Sequence, residues 1–260
     1  MAQESEAKSI SKIAIITGGS RGLGRNTAVS LAKHGVDSII TYHSNRAEAD
    51  GAVKEIEALG RKAVALQLDA GKTASFDAFA AEVKRVLKET WGRETFDYLV
   101  NNAGMSAPGT IADMKEDDFD RLYNVHLKGA FFLTQKLLPL IKDGGRIVNI
   151  SSGLARFTMP GYAAYGSLKG AIEVMTRYMA KEFGPRRIAV NVVAPGAIET
   201  DFGGGRVRDN PELNKVVAAV TAMGRVGLPD DIGPMIAALL GDENRWMTGQ
   251  RLEVSGGMNL

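Results

Sequence analysis

Cysteine is absent from the 260-residue chain, which excludes disulfides, thiol nucleophiles and thiolate metal sites together. Histidine is scarce: His34, His43 and His126 are the only three, and no two stand at metal-ligand spacing. No Gly-x-Ser-x-Gly stretch occurs either, so a Ser-His-Asp hydrolase is poorly supplied and no metal site is expected. Neither sign of charge dominates, with 32 basic against 30 acidic residues and a formal net charge of +2. That balance leaves no footprint for nucleic acid or an anionic membrane. No apolar run approaches the ~20 residues a membrane helix needs. The opening "MAQESEAKSISK" is polar and has no apolar signal core, which predicts a flexible tail over residues 1–10 and a cytoplasmic location. Repeats, low-complexity segments and Pro/Ser linkers are lacking too, so residues 11–260 read as a single domain.

What the chain does have is an alternation. Short apolar runs lie at 12–17, 37–42, 62–68, 96–101, 146–151, 187–194 and 251–254. Helix-like stretches fall between them, at 23–34, 46–59, 73–90, 128–141 and 163–183. Strands apolar on both faces and alternating with helices predict an α/β fold with a doubly wound parallel sheet. Ligands bind such sheets beyond the carboxyl ends of the strands, so the loops leaving those ends carry the chemistry.

The first of these loops is "TGGSRGLG" (17–24), between a strand and a helix. Glycines at 18, 22 and 24 permit a tight turn and close approach of a ligand to the main chain. Gly18, Ser20, Arg21, Gly22, Leu23 and Gly24 are therefore the expected cradle for a diphosphate at a helix N-terminus. The spacing is G-x-x-x-G-x-G, and no Lys-Ser/Thr follows as in a P-loop.

The second strand ends in "TYHSNR" (41–46). A free ribose 2′-hydroxyl usually meets an acid here, but Asp37 stands at the opposite end of its strand. His43, Ser44, Asn45 and Arg46 occupy the correct end, and Arg21 can converge on them. Donors without a carboxylate suit a 2′-phosphate, which points to NADP(H); Arg46 reads equally as the solvated start of a helix. In "LQLDAG" (66–71), Asp69 can accept from the adenine amino group, with Ala70 beside it. "LVNNAG" (99–104) sets two amides, Asn101 and Asn102, before Ala103 and Gly104. These amides can hold the glycine loop in register.

"GYAAYGSLKG" (161–170) holds Tyr165 four residues before Lys169, one turn apart on the same helix face. Tyr162 has Gly166 in that position instead. A phenol with a pKa near 10 is a poor proton shuttle at neutral pH. An adjacent ammonium favours the phenolate, so Lys169 is expected to lower the pKa of Tyr165 and make it the general acid/base.

Thr-Gly-x-x-x-Gly-x-Gly at 17–24, Asn-Asn-Ala-Gly at 101–104, Tyr-x-x-x-Lys at 165–169 and "PGAIET" at 195–200 together resemble the short-chain dehydrogenase/reductase family. The likeness runs from about residue 11 to the end, which resembles the family's ending in "MTGQRLEVSGGMNL" except that Ser255 stands where Asp is usual. The resemblance implies a Rossmann-like, seven-stranded single domain and hydride transfer between a nicotinamide and a carbonyl. It also implies that Lys169 holds the nicotinamide ribose, that Ser152 bonds the substrate oxygen, and that Asn124 holds a relay water behind Lys169. Pro195 and Gly196 then shape the turn under the nicotinamide, and Ile198 and Thr200 address its carboxamide. Residues 201–213 read as a mobile lid or a plain surface loop, and Met105, Leu154, Phe157, Met159 and Tyr162 as an apolar pocket wall.

The expected activity is NADPH-dependent reduction of a ketone or β-keto ester to a secondary alcohol. The resemblance is strongest to 3-oxoacyl-[acyl-carrier-protein] reductases and similar ketone reductases. Carrier-dependent members share a basic pair, of which Arg186 matches one and Asp143 reverses the other, so a small-molecule substrate is preferred over a carrier protein. A non-catalytic NADP-binding sensor and a dehydratase or epimerase with retained cofactor are the rival readings. A homotetramer is implied by the family, with helices around 105–141 and 162–183 pairing across a twofold axis.

Overall fold

The computed structural model describes residues 11–260, so the tail expected over 1–10 lies outside the described residues. Seven parallel strands form one sheet in the order β3-β2-β1-β4-β5-β6-β7. They are β1 (Ile13–Ile16), β2 (Asp37–Tyr42), β3 (Ala63–Gln67), β4 (Phe96–Asn101), β5 (Ile141–Ile150), β6 (Ala189–Pro195) and β7 (Arg251–Val254). Every apolar run became a strand because each is flanked by helices on both faces. One apolar cluster packs Ile13, Ile15, Phe76, Val83, Leu99, Ile147 and Ile172 below the sheet. A second packs Ala14, Ile16, Leu31, Ile40, Val100, Val148 and Ile232 above it. Alternate residues of β1 thus point into opposite cores, as the pleat requires.

The helices are α1 (Gly22–Lys33), α2 (Arg46–Ala58), α3 (Phe76–Trp91), α4 (Glu116–Tyr123), α5 (Ala130–Leu137), α6 (Ala163–Phe183), α7 (Arg206–Asp209), α8 (Pro211–Ala219) and α9 (Pro229–Leu239). Strand order reverses between β1 and β4, where the chain winds outward in both directions. The crevice at their carboxyl ends is where such a sheet binds ligands. Asp37 lies at the far end, 4% exposed, accepting from Lys62 N at 3.0 Å and Trp91 Nε1 at 2.9 Å. Its carboxylate fastens strands and takes no part at the crevice.

Two local features depart from the pattern. β5 begins at Ile141 rather than 146, and its pairing with β4 shifts register between Phe96 and Tyr98. Between α4 and α5 the backbone widens into a π turn over Asn124–Gly129. Such insertions concentrate at functional sites, and this one borders the crevice.

Candidate functional site

The glycine loop is locked to β4 by Asn102, whereas the other expected amide, Asn101, donates instead to Thr134 Oγ1 at 2.9 Å and Asn149 Oδ1 at 2.8 Å. Asn102 Nδ2 donates to Thr17 O at 2.8 Å and Gly18 O at 3.2 Å, while Ala103 N donates to Thr17 Oγ1 at 2.9 Å. Gly18 has φ +64°, and a Cβ there would come within 3.1 Å of Ala103 Cα. At Gly24 a Cβ would stand 2.2 Å from Gly18 O, so α1 starts against bare backbone. The first turn of α1 holds no acidic residue, and its N-cap, Arg21, supplies no capping side chain. Its N–H groups therefore face the crevice with their partial positive charge uncompensated by the chain, which fits an anionic diphosphate. Ser20 is buried under this loop, Leu23 packs partly into the upper core, and Thr200 approaches Gly22 from the 195–200 turn.

At the end of β2, Arg21, His43, Ser44 and Asn45 are all exposed. Asn45 Oδ1 accepts from Glu48 N at 3.2 Å and so caps α2. Arg46 opens that helix, paired with Asp50 at 3.0 Å, which is the solvated-start alternative. Asp69 is shared: Gly71 N donates to it at 2.9 Å, and His43 Nε2 and Lys72 Nζ each lie 3.6 Å from its Oδ2. A carboxylate therefore does stand beside His43, supplied by β3 rather than β2, where the sequence pattern showed donors alone.

Around the catalytic candidates the structure separates the two serines. The Ser152 hydroxyl accepts from Leu154 N at 3.2 Å and stands near enough to the Tyr165 phenol to lower its pKa. Ser151 points the other way, bonding Glu173 Oε1 at 2.8 Å. Lys169 is 5% exposed; its Nζ donates to Ile150 O at 2.7 Å and lies 5.5 Å from the Tyr165 ring centroid. Gly166, one residue past Tyr165, packs on the Leu154 carbonyl, where a Cβ would come within 2.7 Å. That contact seats α6 against the 152–155 turn.

The expected pKa ordering is overturned. Burial pushes the Tyr165 phenol above its ordinary value, partly offset by the Ser152 hydroxyl, and Tyr162 raises it further. Burial pulls Lys169 down to about 7. Desolvation penalises both charged forms, and the Lys169 ammonium spends its strongest contact on a backbone carbonyl. Tyr165 is thus a protonated acid at neutral pH, beside an amine poised to change charge.

Asn124 sits on the π turn with its Cβ near Gly71. A small cavity behind Lys169 is lined by Val125, His126 and Gly129 of that turn, together with Asn101 and Asn149. Asn101 Oδ1 and His126 Nδ1 are buried there without hydrogen-bond partners among the described residues. Asn124 itself does not line the cavity, so the relay role implied for it reaches the cavity only through its neighbours. Pro195 and Gly196 form the end of β6, and Gly196 packs so tightly on Ser255 that a Cβ would come within 2.9 Å of Ser255 Cα. Ile198 bridges to Gly227, and the Thr200 hydroxyl accepts from Phe202 N at 3.2 Å.

The pocket wall is smaller than expected. Phe157 turns away to pack with Val217, Val226 and Met258, because Gly153 leaves room for its ring. Phe202 takes a place over the site instead, its ring centroid 6.0 Å from that of Tyr165. The residues before α7 include Gly203, Gly204 and Gly205, all with positive φ, so Phe202 is carried by a left-handed glycine turn. The sequence signal for it was an aromatic followed directly by three glycines.

Ser255 has a physical account. Its hydroxyl donates to Glu253 Oε1 at 2.8 Å, and Arg156 grips the same carboxylate with two nitrogens at 2.7 Å. An aspartate at 255 would set a second carboxylate against Glu253, whose pKa these partners hold at about 2. Arg186, in turn, is consumed within the chain: it pairs with Asp143 at 2.7 Å and donates to Leu138 O at 2.8 Å and to Ile141 O.

Comparison with known proteins agrees with this geometry. The family described as Enoyl-(Acyl carrier protein) reductase matches residues 18–259. Tetrahydroxynaphthalene reductase PfmaG of Pestalotiopsis fici is 35% identical over 257 residues, covering 95% of this chain and 91% of its own. The promiscuous reductase LugOII, which catalyses keto-reduction at C1 during lugdunomycin biosynthesis, superimposes with TM-score 0.91 at 40% identity, covering 96% of this chain and 99% of its own. The angucycline C-6 ketoreductase LanV with bound NADP does so with TM-score 0.90 at 35% identity, covering 96% of each chain. With the glycine loop, the Asn-Asn-Ala-Gly lock and the Tyr-x-x-x-Lys pair in one crevice, the chain belongs to the short-chain dehydrogenase/reductase family of oxidoreductases.

Proposed function

We propose that this protein is an NADPH-dependent carbonyl reductase that converts a small-molecule ketone to a secondary alcohol, with Tyr165 as the proton donor. The observation that carries the reading is the gathering of three side chains: the Ser152 hydroxyl near enough to the Tyr165 phenol to lower its pKa, and a buried Lys169 whose Nζ lies 5.5 Å from the Tyr165 ring centroid. The glycine loop and α1 N-terminus hold the diphosphate, and exposed Arg21 with His43 and Ser44 receives a 2′-phosphate. The nicotinamide, when bound, supplies the hydride. Everything else falls to the chain. Ser152 and Tyr165 address one carbonyl oxygen from two sides and stabilise the charge that develops on it. Tyr165 gives up its proton, and Lys169, with a pKa of about 7, neutralises the phenolate left behind.

Ring ketones on aromatic scaffolds are the preferred substrates over acyl-carrier thioesters. Phe202 beside Tyr165 offers a planar face to such a ring, and the internal pairing of Arg186 removes the carrier grip. LugOII catalyses a keto-reduction at C1 in lugdunomycin biosynthesis and LanV is an angucycline C-6 ketoreductase, and the reading extends ketone reduction to this chain. A homotetramer is part of the same proposal: Phe119 and Tyr123 on α4, Phe131 on α5, and Val174 and Tyr178 on α6 expose an apolar face. Sedimentation should give four chains per particle; a monomer at micromolar concentration rejects that part.

The reductase reading is tested by following NADPH and NADH absorbance in parallel with a bicyclic aromatic ketone and a β-keto ester, with Tyr165→Phe as control. NADPH consumption that vanishes in the variant is expected. Equal use of NADH overturns the 2′-phosphate assignment, and NADPH binding without turnover of either ketone favours the sensor alternative.

A further inference from the structure

Two serines follow β5, and the chemistry above uses only the second. Ser151 continues the strand ladder, its N donating to Val193 O at 2.7 Å, and is 2% exposed. Its hydroxyl donates to Glu173 Oε1 at 2.8 Å, with Lys169 O also 3.2 Å away. The same Glu173 oxygen accepts from Arg251 Nε at 2.7 Å. Arg251 Nη1 in turn donates to Glu253 Oε2 at 2.9 Å, and Arg156 grips Glu253 with its own two nitrogens. Arg156 closes the 152–155 turn, its N donating to Gly153 O at 2.8 Å, and its guanidinium also reaches Met258 O at 2.9 Å. Charges of alternating sign, Glu173, Arg251, Glu253 and Arg156, therefore run from the residue before Ser152 to the residue that ends its turn.

We propose that Glu173 is a positioning residue that acts through Ser151 to aim the Ser152 hydroxyl at the Tyr165 phenol, with Arg251 holding its carboxylate in place. Ser152 has extended backbone, φ −161° and ψ 152°, and consecutive side chains of an extended chain point to opposite sides. Pinning the Ser151 hydroxyl to α6 thus turns Ser152 the other way, into the crevice. Arg251 and Glu253 are alternate residues of β7 on the α6 side, while Leu252 and Val254 pack toward the upper core. The edge strand of the sheet thereby braces the serine turn. The side chains of Glu173, Glu253 and Arg251 are only 15%, 19% and 25% exposed, so salt screens their contacts less than those of surface pairs. An apolar pair could fasten β7 to α6 as firmly, because a buried ion pair rarely gains on a well-packed hydrophobic one. What the charge adds is direction: an ionised carboxylate only accepts, so the hydroxyl facing it must donate and holds one orientation.

The proposal rests on the reductase reading with Tyr165 as proton donor, and the experiment separates the two. Glu173→Leu removes the acceptor, Glu173→Gln keeps an acceptor oxygen without the charge, and Ser151→Ala removes the donor. Thermal melts identify which variants fold. Their kcat and KM are then measured with NADPH and a bicyclic aromatic ketone beside Tyr165→Phe, and deuterium uptake over 151–156 is followed by mass spectrometry. Glu173→Leu and Ser151→Ala should each lower kcat about ten- to a hundredfold, with the KM for NADPH unchanged and faster uptake over 151–156. Both break one contact, so the double variant should lose no more than the worse single variant, and Glu173→Gln should recover part of the loss. Should Glu173→Leu not fold, Ser151→Ala carries the test by its own kcat. If the folded single variants keep the parent kcat, even with faster uptake, the network only stiffens the turn and the proposal falls. It falls equally if the two losses multiply in the double variant. An inactive Tyr165→Phe beside a fully active Glu173→Leu overturns this proposal alone, whereas a Tyr165→Phe with the parent kcat overturns the proton-donor reading and the proposal with it.

Discussion

The two ends of the crevice solve opposite problems with the same backbone. At the Tyr165 end the groups are dry: Lys169 is 5% exposed and His126 2%. At the β2 end Arg21, His43 and Ser44 stand in solvent, the His43 side chain 72% exposed. Dryness shifts pKa values, Lys169 to about 7 and His126 to about 3. A solvated group keeps its charge and can be replaced at modest cost, since each exposed ionic contact is worth ~1 kcal/mol or less. On the proposed reading, rate belongs to the dry end and cofactor choice to the wet one.

The sharpest break in that comparison is Tyr165→Phe. General acid catalysis contributes about two to four orders of magnitude, so kcat should fall by that much while NADPH binding, followed by fluorescence, stays put. Next comes Lys169→Met, read through stability. The folded pKa of about 7 lies below the ordinary 10.5, so between those values the unfolded chain binds more protons than the native one. Stability contributed by this site should therefore rise as pH goes from 7 to 10.5, and below pH 7 the full burial penalty applies. Denaturant titrations should find Lys169→Met more stable than its parent near pH 6 by ~2–4 kcal/mol, with the gap closing toward pH 10. A constant gap would mean that the lysine is not desolvated. The smallest effect sits at the wet end: Arg21→Ala should raise the KM for NADPH roughly tenfold, leave that for NADH unchanged and spare kcat. A fall in kcat there would show that the two ends are coupled.

Much of this was legible because it lies in short, local patterns. Each of the seven apolar runs holds a strand, although β5 begins before its run, at Ile141, and α6 spans the expected 163–183. The glycine loop and the Asn102 lock follow from spacing that the backbone honours. What escaped depends on distant partners. α9 is not among the helix-like stretches read from the pattern, and it carries Pro229, Gly233 and Pro234, residues that usually interrupt one. In the fold Pro229 opens the helix, and Gly233 is bare because a Cβ would strike Asn26 Oδ1 at 1.9 Å. α4 falls within the helices expected around 105–141, although Glu116–Tyr123 is mostly polar and buries only Leu122. The direction of the Tyr165 shift was read backwards, since a sequence shows the neighbouring Lys169 and not the depth at which both lie. The π turn over Asn124–Gly129 escaped as well, because nothing local announces it.

The bond from Lys169 to the Ile150 carbonyl has a consequence beyond acidity. An amine that is half uncharged at neutral pH is a nucleophile, and ketones and aldehydes condense with such amines to imines. A protein that admits carbonyl compounds must keep its own reactive amine from them. Here the nitrogen lies behind the Tyr165 ring and is hydrogen-bonded to main chain at 2.7 Å. On the proposed reading, the burial that lowers the Lys169 pKa also walls its nitrogen off from the substrate's electrophilic carbon.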